Sequence, residues 1–258
     1  MSTGQVHLSI NDGVAAILID RPAARNAMTW NMYEQLAAHC RQISADPSVR
    51  VATVRGAGGE AFVAGTDIEQ FLAFKGGEDG IDYEKKIDAM IEAIERLPMP
   101  TVAIVEGWAI GGGLAISAAC DFRVATPNAS FGVPIARTLG NCLSMANYAR
   151  VVASFGAPRA RRMLLLADTV GAQEALECGF LTEIAEPAEL EAKAAALCGR
   201  LLKNAPVTMR ASKEAIRRIV AAGLPDGDDL VRMCYGSSDF RAGVEAFMNK
   251  SKPVWTGA

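Results

Sequence analysis

Histidine is scarce in this chain: His7 and His39 are the only two among 258 residues. One falls in an opening hairpin pattern and the other in the first helical pattern, and no Gly-x-Ser-x-Gly elbow occurs, which argues against a Ser-His-Asp hydrolase. The six cysteines (Cys40, Cys120, Cys142, Cys178, Cys198, Cys234) include no Cys-x-x-Cys pair, so neither a zinc site nor a disulfide framework is expected, and the thiols read as reduced. No Walker-type Gly-Lys-Ser/Thr is present, and the Gly-x-Gly-x-x-Gly spacing of dinucleotide sites is absent. A net charge of −3, a pI near 5.6 and the lack of any Lys/Arg stripe give no field for a phosphate backbone, which excludes nucleic acid as the expected partner. No apolar run approaches membrane-spanning length, and the opening MSTGQVHLSINDG has neither the basic nor the apolar region of a secretory signal. The expectation is a soluble cytoplasmic protein with no membrane partner.

What the chain does have is apolar residues and glycine. A hydrophobic content of 50% over this length can bury one large core with a helical appendage. The stretch Glu106 to Asp121, EGWAIGGGLAISAACD, passes from a buried-strand pattern (PTVAIV, from Pro100) to a buried-helix pattern across three consecutive glycines. Bare backbone at such a joint admits a ligand against the peptide plane, and the first helical amides have no internal partner. Aimed at a carbonyl oxygen, such amides stabilise a developing oxyanion by roughly 10²–10³-fold per donor. A tightly packed strand–helix joint explains the same glycines equally well.

In chain order, alternating runs at Val6 to Ile10 and Val14 to Asp20 flank Asn11-Asp12-Gly13, a hairpin signature. Thr29 caps an expected helix in which Met32, Leu36, Cys40 and Ile43 share a face, ended by Asp46-Pro47. Val49 to Arg55 reads as a strand, and GAGGEAFVAGTDIEQF after it is a second glycine-rich passage leading to a short helix at Asp67. Gly76 to Gly80 reads as a mobile connector, and Tyr83 to Leu97 as an amphipathic helix with Ile87, Met90, Ile91 and Ile94 inward. Asp121 to Ala125 and Ala129 to Val133 look like strands, and from Asn141 onward the pattern is helical. Strands alternating with helices, then helices alone, describe an α/β chain of crossover units with a helical C-terminal region.

Two glycine-rich joints in successive units can aim two amides at one point. At these residues the sequence resembles the crotonase, or enoyl-CoA hydratase/isomerase, superfamily: AFVAGTDI (from Ala61) and GWAIGGGLAISAACDFRVA (from Gly107) match its two main motifs. DRPAARNAM (from Asp20) and GAQEALECGFL (from Gly171) resemble two further segments. The resemblance implies a ClpP/crotonase-like spiral of ββα units over residues 1–186 and a helical trimerisation region over 187–258, assembled as a homotrimer or dimer of trimers. It also implies an acyl-CoA thioester as substrate, with coenzyme A entering as part of it and no separate cofactor or metal.

On that resemblance the Thr66 and Gly112 amides would form an oxyanion hole. Arg25 and the backbone about Ala27 would approach coenzyme A, with Ala64 and Ile68 flanking its pantetheine or adenine end. Phe247 and Lys250, with Lys252, would reach the nucleotide of a neighbouring chain. Ile110, Gly111, Ala115, Pro134, Ile135, Leu139 and Asp67 complete the implied substrate-binding set, although Asp67 reads better as the cap of its own helix. Arg137 inside an acyl pocket would pair with a substrate carboxylate, whereas on the surface it is an ordinary ion-pairing residue. Tyr83 and Glu84 lie on the helix after the connector, a region that on the resemblance often lines the acyl site, although as residues they read first as a solvated helix face.

The departures from the family pattern bear on chemistry. Hydratases of this family carry one Glu two residues after the third glycine and a second after the proline of an FGxPE-type motif. Here those positions are Ala115 and Ile135, and a one-residue shift of the second gives Ala136. Hydration needs one group to deprotonate water and another to protonate the α-carbon. Three functions therefore stand: an acyl-CoA lyase, decarboxylase or isomerase working through a thioester enolate; an enoyl-CoA hydratase with substitute acid/base groups; and a non-catalytic acyl-CoA-binding homologue.

Overall fold

A computed structural model describes residues 4–223 and 226–256. Strands β1 (Gln5–Asn11) and β2 (Val14–Asp20) form the expected hairpin, pairing Asn11 with Val14 across Asp12 and Gly13. Both turn residues have positive φ, 49° and 80°, as a two-residue hairpin turn matched to strand twist requires. Helix α1 (Trp30–Ala45) follows, with Thr29 Oγ1 accepting from the Met32 N–H and the expected apolar face buried.

The chain then repeats one step three times, laying one strand in each of two sheets. The pairs are β3 (Val51–Gly56) with β4 (Ala61–Val63), β5 (Thr101–Val105) with β6 (Trp108–Ile110), and β7 (Phe122–Ala125) with β8 (Ser130–Gly132). Helix α2 (Gly77–Glu95) separates the first two pairs, and α3 (Gly112–Ala119) the second two. Beyond them come α4 (Ile135–Thr138), α5 (Met145–Leu165), β9 (Thr169–Gly171), α6 (Ala172–Glu177), β10 (Glu183–Ile184), α7 (Leu190–Leu202), α8 (Pro206–Ala221), α9 (Asp228–Tyr235) and α10 (Ser238–Met248). The larger sheet has the order β1-β2-β3-β5-β7-β10 and is parallel from β2 onward; the smaller, β4-β6-β8-β9, is closed by an antiparallel pair. This is the expected spiral of ββα units.

Alternate residues of the central strands serve opposite faces. Ala103 and Val105 of β5 join the main core under α1, α2 and α3, whereas Val102 and Ile104 pack with Leu190, Leu197 and Leu201 of α7. Both faces of the larger sheet are covered, which is why its strands read as near-continuous apolar runs.

The expectation at Gly76 to Gly80 is corrected. Helix α2 begins at Gly77, because Asp79 accepts from the Lys75 and Gly76 N–H groups (2.7 and 3.1 Å) and because a Cβ at Gly80 would overlap the Tyr235 ring of α9. Gly77 and Gly80 permit close packing against α9. The short helix at Asp67 is a 3-10 helix, Ile68–Ala73, with Asp67 as its N-cap.

Candidate active site

A cavity of about 780 Å³ opens between α2, α3, α4 and the loop within residues 20–28, the first motif in chain order and hence the first-motif loop. At its floor the two glycine-rich joints meet. The stretch around Thr66 is pinned beside Met28, whose N–H donates to Gly65 O and whose carbonyl accepts from Asp67 N–H, both at 2.9 Å. From the other side, the Gly111 N–H donates to Gly132 O at 2.9 Å. The backbones run close: a Cβ added at Gly111 would come to 3.8 Å from Gly65 Cα. Among the described residues neither the Thr66 N–H nor the Gly112 N–H has an acceptor, the latter because it opens α3.

The three glycines have separate physical duties. Gly111 adopts φ +55° and ψ −115°, a conformation that side chains disfavour. A Cβ at Gly112 would overlap the Tyr33 hydroxyl, and one at Gly113 would overlap the Val63 carbonyl of β4. The packing explanation of the triplet therefore holds at its second and third positions, and that same packing brings the first turn of α3 against the stretch around Thr66.

Thr66 is also held through its side chain. Its Oγ1 lies 2.9 Å from the Tyr33 hydroxyl and accepts from the Tyr83 hydroxyl at 3.1 Å. Burial pushes the Tyr33 phenol up to about 12 and Tyr83 well above its ordinary range, so both stay neutral.

The first-motif loop is built on Asn26, buried and fully engaged. It accepts from Arg21 N–H and donates to the carbonyls of Ala57 and Ala61, each at 2.8 Å. Arg21 reaches Asp67 Oδ2 at 2.7 Å, with both side chains largely buried, so Asp67 is a cap and an ion-pair partner. Arg25 stands at the exposed rim, 2.7 Å from Glu60.

The cavity wall brings together most of the residues singled out in the sequence. Arg25, Ala27, Ala64, Asp67 and Ile68 line one side; Ile110, Gly111, Gly112 and Thr66 line the floor. Ala115 faces the interior, with Pro134, Ile135 and Leu139 opposite and Phe247 at the mouth. Two residues are not on this wall. Arg137 is exposed on α4, turned to solvent by the helical register that puts Ile135 and Leu139 inward, and Lys250 lies exposed in the segment after α10. Neither histidine contributes: His39 Nε2 bonds Val6 O at 2.8 Å, and His7 pairs with Asp20 on the surface.

Of the two expectations for Glu84, a solvated face and a place on the acyl site, the solvated face is corrected. Glu84 is buried on the cavity wall, where Oε1 accepts from the Tyr235 hydroxyl at 2.7 Å and Oε2 from Ser144 N–H at 2.8 Å. Burial pushes its carboxyl from 4.5 up to about 7; the Tyr235 and Ser144 hydrogen bonds oppose this, and the Asp88 charge adds to it. Its spacing held the signal: Glu84, Ile87, Ile91 and Ile94 share the inward face of α2. Behind Glu84, Asn147 and Arg150 of α5 also reach the wall. Arg150 is bidentate to Glu95 at 2.6 and 3.0 Å and contacts Asp88 at 3.4 Å, so its charge is already matched.

The same chain shape occurs in known proteins. The family described as enoyl-CoA hydratase/isomerase matches residues 9–258. The short-chain-enoyl-CoA hydratase of Clostridium acetobutylicum is 30% identical over 98% of this chain and 97% of its own. An enoyl-CoA hydratase structure from Mycobacterium avium subsp. paratuberculosis superposes with a TM-score of 0.82 at 30% identity, covering 97% of this chain and 98% of that one. A methylmalonyl CoA decarboxylase complexed with 2S-carboxypropyl CoA superposes with a TM-score of 0.90 at 25% identity over the whole of both chains. With two glycine-rich joints meeting under one cavity and a match over nearly its full length, this chain belongs to the enoyl-CoA hydratase/isomerase family of the crotonase superfamily.

Proposed function

We propose that the protein acts on an acyl-CoA thioester, holding the thioester oxygen between the Thr66 and Gly112 amides and stabilising its enolate. The observation that carries this reading is that Thr66 and Gly112, whose backbone N–H groups have no acceptor among the described residues, both line one large cavity. Two donors fixed before the reaction favour the charge that develops on oxygen over the neutral ground state. The rim at Arg25, Ala27, Ala64 and Ile68 takes the coenzyme A portion, and Lys250 with Lys252 reaches the nucleotide of a neighbouring chain in a homotrimer or a dimer of trimers. The relative complexed with 2S-carboxypropyl CoA supports a CoA ligand at this cavity.

Ala115 and Ile135 make opposite walls apolar where hydratases of the family carry carboxylates. The chemistry proposed is therefore enolate formation followed by proton return or loss of CO₂, not addition of water. The test is a panel of saturated, 2-enoyl, 3-enoyl and malonyl-type CoA thioesters, scored for binding and for turnover. Tight binding with isomerisation, proton exchange or decarboxylation, and with very weak crotonyl-CoA hydration, is the expected result. The hydratase relatives support a second reading, hydration by substitute groups, and a crotonyl-CoA kcat within roughly 1–10³ s⁻¹ would establish it instead. Binding of the panel without any turnover would leave an acyl-CoA-binding protein.

A further inference from the structure

We infer that Glu84 is the proton-transfer residue of this cavity, taking a proton from the acyl carbon beside the thioester and returning it from the same carboxyl. The inference rests on the enolate reading above and adds the group that reading lacks.

Four carboxylates line the cavity. Glu60 and Glu69 are exposed at the rim, Glu60 paired with Arg25, and Asp67 is tied to Arg21. Glu84 alone of the four is buried, and among the described residues no cation bonds it. Each of its oxygens accepts one hydrogen bond, which fixes the carboxyl plane while leaving further lone-pair capacity on both. A short chain of groups leads from it: Asn141 Nδ2 donates to the Tyr235 oxygen at 3.1 Å, and Tyr235 donates to Glu84. Asn141 also lines the cavity, and its buried Oδ1 has no donor among the described residues. On α2 the neighbouring Tyr83 holds Thr66, so one helical turn supports both the oxyanion floor and the acid/base group.

The step balances without a co-reactant. The α C–H bond breaks, an O–H bond forms on Glu84, and the electron pair moves into the enolate, whose oxygen carries the charge between the two amides. With a 3-enoyl thioester the pair spreads to the γ-carbon. Return of the proton there moves the double bond and regenerates the carboxylate. One group suffices for this exchange, whereas hydration needs two.

The titratable groups packed around Glu84 are Asp88 on its own helix, Tyr33 of α1, Tyr83, Cys142, Tyr148 of α5 and Tyr235 of α9. Burial holds the tyrosines up, a hydrogen bond with Cys234 holds Cys142 up, and Asp88 is bound to Arg150. Cys234, lowered by its hydrogen bond with Cys142, is the other group brought toward neutrality, so it serves as the control.

The experiment measures but-3-enoyl-CoA conversion and α-proton exchange in D₂O across pH, with butyryl-CoA binding measured separately. The proteins are wild type, Glu84→Gln, Glu84→Asp, Tyr235→Phe and Cys234→Ser, each checked for a cooperative melt. Glu84→Gln should bind butyryl-CoA within about twofold of wild type and lose exchange by roughly 10²–10⁴-fold, with Glu84→Asp between the two. Tyr235→Phe should move the limb near neutral pH upward, since that hydroxyl favours the charged carboxylate, and Cys234→Ser should leave it in place. Exchange retained in Glu84→Gln, a limb unmoved by Tyr235→Phe, or a limb lost in Cys234→Ser overturns the assignment of Glu84 while the enolate reading stands. A wild type that binds butyryl-CoA without exchanging or converting but-3-enoyl-CoA overturns both.

Discussion

Burying Glu84 has a thermodynamic signature separate from any turnover. Its carboxyl, raised in the folded chain from 4.5 to about 7, favours the protonated form, so its contribution is fully present below about pH 4.5 and is lost as pH rises through about 7. Glu84→Gln cannot titrate. The stability of wild type relative to that variant should fall by on the order of 3 kcal/mol between about pH 4 and about pH 8, read from urea melts at each pH. A flat difference would mean that Glu84 is solvated. The glycine triplet gives a second prediction. Gly113→Ala drives a Cβ into the Val63 carbonyl and should cost roughly 1–3 kcal/mol in chemical denaturation. Gly199→Ala meets nothing within 4 Å inside α7 and should be neutral or gain up to about 1 kcal/mol.

Among the elements, the first-motif loop depends on a single side chain. Asn26→Ala removes three hydrogen bonds in a buried site, a loss on the order of 1–3 kcal/mol, and loosens the wall that carries Arg25 and Ala27. Denaturation midpoints and CoA affinity should fall together. Elements with their own local signal were legible in the sequence: the Asp-Gly hairpin turn, the Thr29 and Asp67 caps, and the apolar runs of β3, β5 and β7. The smaller sheet was harder to see. Its strands are three residues long; β8 was still read from its own run, but β4 and β6 were absorbed into glycine-rich passages and β9 was hidden within a helical stretch, as was the two-residue β10 of the larger sheet. The residues of both joints, with Ala115 and Ile135, could be named from motifs alone. Glu84 could not, because its burial is completed by Tyr235, 151 positions away, and by Ser144. Arg137 was placed in the pocket by its nearness in sequence to Ile135, and a single helical turn puts it outside.

For the molecule as a whole, the apolar residues of the C-terminal region divide into two groups. Leu190, Leu197 and Leu201 cover the molecule's own sheet, whereas Ile216, Ile219 and Val220 of α8 remain exposed beside a groove of about 670 Å³. An apolar helix face of that kind calls for a partner, and light scattering at micromolar concentration should give a mass that is a multiple of three chains. A monomer would refute this. The groove and the active-site cavity share Ala118 and Arg150 as a common partition. One guanidinium, braced by Glu95 and Asp88, thus serves as the back wall of two rooms. A partner seated under α8 would press on that shared partition from the side away from the active-site cavity. Diluting the protein below the dissociation constant of its assembly should then shorten the range of acyl lengths it discriminates before it abolishes binding, turning subunit concentration into a dial for chain-length selectivity.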